Sequence, residues 1–491
     1  MTGHAEVRRR IALIAGLLLF FVVLFGTNPV PEEPAVGRTL AVAVLMACYW
    51  LTEALPLGVT ALLPVVLLPM LGIMSPAETA AEYMNDLMFL FIGGFLLAIA
   101  MQDWGLHRRI ALRVLLWIGH NASTLLFGVM AATWFISWWV NNTATTLMML
   151  PIVMSLMVKL EERGGVDATR LTTAMLLGVA YAASIGGMAT LIGTAPNLVF
   201  LRTYSGAFPD ATPVTFLTWM AAAVPVSTAM LLLSYAYFRV TVLRRCNVPI
   251  DRGLIRDEHR ALGPITFEER TVLCVFVLFV GLIVTRADAV LGATTVRGWA
   301  TRLGIGDRVA DGVVAIGMAL LLFTIPSRSR PGFVLGGGAL QRLPWDIVIL
   351  FGGGFALAEA FQVSGLSEYL GKQLGGIAGA PPIVILAVVT AAVCFLSELA
   401  SNTALAQVTL PVLASMAGAT GIHPLFLMVP ATLAASCGFM LPVATPPNAI
   451  VFGTRRVRSA DMVRAGFVLD WIGIVVVTVL VYTWGRWVFG L

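Results

Sequence analysis

One long apolar stretch occurs twice in this chain. "DLMFLFIGGFLLAIAMQDWGL" from Asp86 aligns with "DIVILFGGGFALAEAFQVSGL" from Asp346, and "FISWWVNNTATTLMMLP" from Phe135 aligns with "FLSELASNTALAQVTLP" from Phe395 at the same offset of 260 residues. A third pair, "IGTAPNLV" from Ile192 and "VATPPNAI" from Val443, follows at an offset of 251. Two motifs kept at one offset mark a duplicated unit. The fold must therefore be built from two homologous halves, each interrupting an apolar run with Asn, Thr and Pro.

The surroundings of those runs are lipid. Charged residues make up 12% of the chain and hydrophobic ones 59%, with a mean hydropathy of +0.91, against about 25% charged in soluble domains. Runs such as "IALIAGLLLFFVVLF", "TVLCVFVLFVGLIV" and "WIGIVVVTVLVYTW" recur from Ile11 onward. They predict an all-α polytopic membrane protein with about 11 transmembrane helices. No small-residue cleavage site follows the first run, which reads as a retained span after Arg8, Arg9 and Arg10. The net charge of +5 is concentrated in a few loops, the positive-inside pattern of a membrane protein rather than a nucleic-acid surface. There is no Walker A pattern; "GLSEYLGKQL" near Gly365 has the wrong spacing. The cysteines (Cys48, Cys246, Cys274, Cys394, Cys437) are scattered and suggest neither a disulfide framework nor a metal site. An ATP-driven pump or membrane enzyme has no support, and no organic cofactor is expected.

Counting crossings with Arg8 to Arg10 in the cytoplasm gives the organisation. Residues 1–38 hold the tail and first span, 39–240 the first repeat, 241–268 a basic cytoplasmic linker and 269–491 the second repeat. The segment 123–158 is apolar, broken at "NNT", and has basic residues on both flanks. It therefore enters and leaves on the cytoplasmic side as a re-entrant hairpin, a form tolerated at membrane depth where it is buried in protein or lines a cavity. An interrupted span, 171–202, follows. In the second half the hairpin 383–417 must start and end outside, because the interrupted span 423–453 finishes at the basic "GTRRVR". The two hairpins point in opposite directions, which makes an inverted-topology repeat, a transporter architecture. The N-terminus is expected in the cytoplasm and Leu491 outside.

In that architecture the cargo sits near the bilayer midplane, where broken helices present their ends. Half-helix N-termini offer free N–H groups and the positive end of the dipole to a carboxylate or other oxyanion. Asn and Thr add donors for an anion and oxygens for a cation. The prolines of "GTAPN" and "ATPPN" are expected to interrupt a helix and free carbonyls for a hard cation such as Na⁺. Neutral oxygens suit a monovalent ion, whereas calcium or magnesium would call for carboxylates.

The paired "NNT" and "SNT" tips, each followed by "GTAPN" or "ATPPN", together with "SCGFMLPVATPPNAIV" from Ser436 to Val451, resemble the divalent-anion:sodium symporter family. The resemblance runs from about residue 40 to the end. It implies a first Na⁺ site from Ser137, Asn141, Asn142 and the Gly193 carbonyl, and a second from Ser397, Ala400, Ser401, Asn402 and the Ala444 carbonyl. It places the anion between Asn142, Thr143, Asn402 and Thr403, closed by Thr194, Thr445 and Pro446. One departure stands out: the family has Ser where this chain has Asn141. The implied protein is a secondary transporter in a bacterial inner membrane, working as a homodimer by elevator-type alternating access. The expected cargo is a C4-dicarboxylate such as succinate or malate, coupled to Na⁺. The alternatives are an anion exchanger, a sulfate or citrate carrier, and a Na⁺/H⁺ antiporter of the same superfamily.

Several residues have simpler readings. Glu398 beside the second tip is a candidate proton-coupling acid, but its counterpart is Trp138, so it lies outside the duplicated chemistry. Asp86 and Asp346 are expected to cap equivalent helices. Trp138 and Trp139 read as packing residues, and the glycines of "FIGGF" and "FGGGF" as sites of close helix approach.

Overall fold

The computed structural model describes residues 2–27, 29–119, 121–245, 252–374 and 381–491. Cys246 and part of the basic linker fall outside the described residues. The helices that build the two repeats are numbered in chain order, with the connecting helices and turns, among them Leu106–Ile118, unlabelled. The first half holds α1 (Thr2–Gly26), α2 (Pro34–Thr52), α3 (Asp86–Asp103), α4 (Ala122–Ser137), α5 (Asn142–Gly187), α6 (Ala195–Ala207) and α7 (Phe216–Thr241). The second holds α8 (Phe267–Val284), α9 (Asp311–Thr324), α10 (Trp345–Val363), α11 (Pro382–Ser397), α12 (Asn402–Thr420), α13 (Pro424–Ala434), α14 (Pro446–Gly453) and α15 (Ser459–Leu480). Strand structure is confined, among the described residues, to a small antiparallel ribbon of Ala289–Leu291 against Thr294–Val296.

Among the described residues seven helical segments are long and apolar enough to cross a bilayer, those containing α1, α2, α3, α7, α10, α12 and α15. Apart from α12, the hairpin arms and half-helices are shorter because polar residues stop them part-way. α5 is recorded as one helix of 46 residues, which would put its ends on the order of 70 Å apart if straight. Yet a Cβ on Gly187 would overlap the Oδ1 of Asn142. The chain therefore doubles back within α5, so that its first limb pairs with α4 as a hairpin and its second returns alongside.

The halves interlock through glycines. A Cβ at Gly93 of α3 would lie 2.6 Å from the Cβ of Ala315 in α9, and one at Gly353 of α10 would lie 2.6 Å from the Cβ of Ala61. Each duplicated helix thus packs backbone-close onto an element of the other half, the small-residue contact that membrane helices favour. The acids at their starts act differently from expectation. Asn85, not Asp86, caps α3 by accepting the N–H of Met88 at 3.2 Å, and no side chain caps α10. Asp86 and Asp346 sit inside the first turn, where a carboxylate complements the dipole without capping. At the far end of the linker, buried Arg109 bonds both carboxylate oxygens of Glu269, at 2.9 and 3.0 Å, and the carbonyls of Leu262 and Gly263.

Candidate functional site

Each hairpin breaks over the same four positions. α4 ends at Ser137 and α5 restarts at Asn142; α11 ends at Ser397 and α12 restarts at Asn402. Extended residues, Asn141 (φ −56°, ψ 154°) and Ser401 (φ −56°, ψ 129°), precede the restart. The oxygen of Asn141 accepts the N–H of Ala144 at 2.7 Å, whereas Ser401 makes no such cap bond. The residue that departs from the family pattern is therefore occupied as an N-cap, a position where Asn and Ser perform about equally.

The second break differs from the sequence expectation in its cause. Pro196 lies in the first turn of α6, and Pro446 and Pro447 open α14. A proline there removes an N–H that would have been free anyway. The freed carbonyls belong instead to the loop before it, residues 188–194 in one half and 435–444 in the other. Thr194 (φ −144°, ψ 148°) and Thr445 (φ −139°, ψ 148°) start the half-helices in matching conformations.

These breaks gather oxygens. The Ser137 hydroxyl lies 2.9 Å from Asn142 Oδ1 and 2.7 Å from the Ala183 carbonyl, and Asn142 Nδ2 donates to Thr194 Oγ1 at 3.4 Å. A Cβ on Gly193 would lie 2.6 Å from the Gly187 carbonyl oxygen and 2.9 Å from that of Ser137. Two glycines thus open a cradle among Ser137, Asn142, Gly187 and Gly193 that a methyl group would fill. In the second half a Cβ on Gly438 would sit 3.1 Å from Ala444 Cβ and 3.2 Å from the Ser397 carbonyl oxygen. At the second tip Asn402 Oδ1 is buried with no donor among the described residues. Ala400 is buried, and Ser401, Asn402 and Thr403 are half-buried like Asn141, Asn142 and Thr143. Thr445 Oγ1 accepts the N–H of Asn448 at 3.3 Å, and Pro446 is exposed. No hydrogen bond among the described residues links one hairpin tip directly to the other. A hard monovalent cation suits the first set, which is neutral oxygens with open lone pairs; in the second half the methyl of Ala444 stands at the position equivalent to Gly193, and the oxygens drawn up to Gly438 are the two of Ser397.

Glu398 is not free to act as a lone acid. It is 2% exposed, and its carboxylate accepts the N–H groups of Phe439 (2.5 Å), Met440 (2.8 Å) and Leu441 (2.9 Å). It ties the tip of the second hairpin to the second broken loop. In the first half the same tie is made by Thr190, whose hydroxyl donates to the carbonyl of Trp138, the residue equivalent to Glu398. Sequence reasoning also passed over Asn197 and Asn448. Both lie in the quoted motifs, and their recurrence at the 251-residue offset is the signal that marks them.

The tips differ in their surroundings. Ile136, Trp139 and Ile192 are 3%, 7% and 6% exposed, while their equivalents Leu396, Leu399 and Val443 are 47%, 71% and 77% exposed. Trp139 packs edge-on against Phe276 of α8 and stacks with Phe216 of α7, and Ile192 faces Gly94 of α3. Trp139 is thus a packing residue, and the first tip is docked where the second is not.

Two interlocked halves, each with a hairpin and a broken helix closing a polar cradle, define a membrane transporter rather than an enzyme. The profile of the family described as the sodium:sulfate symporter transmembrane region matches residues 7–491, and the chain belongs to that family. Among curated proteins it is similar to the sodium-dependent dicarboxylate transporter SdcS of Staphylococcus saprophyticus, 39% identical over 486 residues and covering 97% of this chain and 91% of that one. The protein of the same name from Staphylococcus aureus strain MW2 is 38% identical over 482 residues, covering 96% and 90%. Among solved structures, the Alcanivorax borkumensis YdaH transporter shares the fold with a TM-score of 0.58 at 15% identity, covering 86% of this chain and 89% of that one. Neisseria gonorrhoeae MtrF does so with 0.56 at 14% identity, covering 84% of each.

Proposed function

We propose that this protein carries a small dicarboxylate across the membrane together with Na⁺. The observation that carries the reading is the oxygen cradle around Gly187 and Gly193, matched in the other half by the two Ser397 oxygens beside Gly438. The first Na⁺ is held by Ser137, Asn142 and the Gly193 carbonyl, with Asn141 shaping the tip. The second is held by Ser397, Ala400, Ser401, Asn402 and the Ala444 carbonyl. The anion lies between Asn142 and Thr143 on one side and Asn402 and Thr403 on the other, closed by Thr194, Thr445 and Pro446. The N-termini of α5 and α12 favour its charge. Relatives named as sodium-dependent dicarboxylate transporters support both cargo and coupling. The same relatives favour this reading over a Na⁺/H⁺ antiporter.

The unequal tips support a reading by alternating access. The hairpins and broken helices move as one body against α3, α10 and their partners, so that the second tip docks in the other state and the first is released. The first repeat then comprises residues 39–240 and the second 269–491, with Lys159 and Arg256 on the cytoplasmic side and Leu491 outside. The test is uptake of labelled succinate into proteoliposomes over a sodium titration. Asn142→Ala and Asn402→Ala should each weaken apparent affinity by about tenfold to hundredfold, the loss of a hydrogen bond to a charged group. Normal affinity with lowered stability in both variants would make the tips structural, and uptake indifferent to sodium would refute the coupling.

A further inference from the structure

We propose that Asn197 and Asn448 are the positioning residues that set the two cation half-sites, each acting only on its own half; the inference rests on the cation reading above. Asn197 is fully buried on α6, and its Nδ2 donates back across the break to the carbonyls of Gly187 (3.0 Å) and Thr190 (2.7 Å). Asn448, fully buried on α14, donates to the carbonyls of Gly438 (3.1 Å) and Leu441 (3.0 Å). The four acceptors are equivalent positions of the two halves. One amide in each half therefore ties the end of one helical segment, through the unwound loop, to the start of the next.

The chemistry explains why an amide stands there. A helix that stops inside protein leaves carbonyls without partners, and an unmade hydrogen bond on a buried group is costly. Asn supplies two N–H donors without a charge that would repel a neighbouring cation. Its other end is left unmet: Oδ1 of both Asn197 and Asn448 is buried with no donor among the described residues. That cost, accepted twice at matched positions, marks a residue kept for its donors. With the Gly187 and Gly438 carbonyls held, the loops that present Gly193 and Ala444 keep one shape whether or not the ion is bound. Less ordering remains for sodium to drive, and affinity is higher.

Hydrogen exchange and uptake on the full-length protein test this separately. Without sodium, Asn197→Ala should speed amide exchange in residues 188–194 and leave 439–445 unchanged, and Asn448→Ala should do the reverse. In uptake, each variant should raise the sodium concentration for half-maximal rate about tenfold, while the anion KM at saturating sodium stays within about twofold. Asn197→Asp and Asn448→Asp, which keep the shape and lose the donors, should loosen the same loops, and they serve if the alanine variants misfold. Unchanged exchange in the variant's own loop overturns the brace. So does an unshifted sodium requirement in a loosened variant. If uptake by the unaltered protein ignores sodium, the cation reading falls, and loop exchange alone decides whether the brace stands.

Discussion

Removing the carboxylate of Glu398 should damage this protein more than removing its counterpart in the first half. Glu398 accepts three backbone N–H groups, from Phe439, Met440 and Leu441, between 2.5 and 2.9 Å. A hydrogen bond to a charged group contributes about 1.5–3 kcal/mol, but the three share one acceptor and their losses will not add. Truncation to alanine leaves three donors unpaired in a buried loop. A cost of about 3–5 kcal/mol is expected, the range for breaking a buried charged interaction. Thr190 makes the equivalent tie with one hydroxyl, which donates to Trp138 O and accepts from Gly193 N at 3.2 Å. Thr190→Val removes that tie at nearly constant shape, for about 1–2 kcal/mol.

The assay is reversible unfolding in mixed micelles by detergent titration, with Glu398→Ala, Glu398→Gln and Thr190→Val compared in one background. Glu398→Gln should fall between the others, because an amide keeps one acceptor oxygen and turns a donor toward the second group of N–H bonds. Glu398→Ala should also raise the sodium requirement for uptake, since the released loop carries Ala444. If Glu398→Ala unfolds within about 0.5 kcal/mol of the unaltered protein, the size of an ordinary surface change, the carboxylate is not what ties tip to loop. If Thr190→Val costs as much, the proposed difference between the halves is wrong.

Asn141→Ser should leave stability within about 0.5 kcal/mol, because serine replaces asparagine as an N-cap with little loss; a shift in the preference among succinate, sulfate and citrate, measured by competition against labelled succinate, would place this position at the anion. The docking of unequal tips predicts a second contact that the present state lacks. Ile192 and Trp139 share a crevice with Ala98 of α3, so Val443→Cys with Ala358→Cys, in a background without Cys48, Cys246, Cys274, Cys394 and Cys437, should crosslink when the other state is populated and then stop uptake. Full crosslinking with undiminished uptake would refute movement of the hairpins against α10.

Much of this was legible in the sequence because it is written twice. The 260-residue offset pairs the two tips and the 251-residue offset the two broken helices, and Gly93 and Gly353 stand at close helix contacts, as glycines in apolar helices suggest. What was not legible is what the halves do differently. Glu398 and Thr190 perform one task from opposite ends of the same contact, one reaching from the tip to the loop and the other from the loop to the tip. An alignment at fixed offset pairs Glu398 with Trp138 and so makes the acid look like an unmatched addition. The prolines misled for another reason: the sequence shows that a helix is interrupted nearby, but only the structure shows that they begin the second segment rather than break the first. Asp86 was displaced as a cap by its neighbour Asn85, a shift of one residue that periodicity cannot resolve.

The unequal docking of the tips could not have been read from the chain at all, and the reason bears on mechanism. Ile136, Trp139 and Ile192 are matched by Leu396, Leu399 and Val443, apolar at every position. Pattern therefore expects all six to be buried, yet the structure buries three and exposes three. With α3 and α10 duplicated as well, the second set has an equivalent surface available to it, and the contacts released by one tip are of the kind gained by the other. Two arrangements that exchange like for like differ little in free energy, which is the condition for both to be populated and for a bound cargo to shift the balance between them. A duplicated sequence folded into an unequal pair thus carries, in its own repeat, the equivalent contacts that the proposed movement requires.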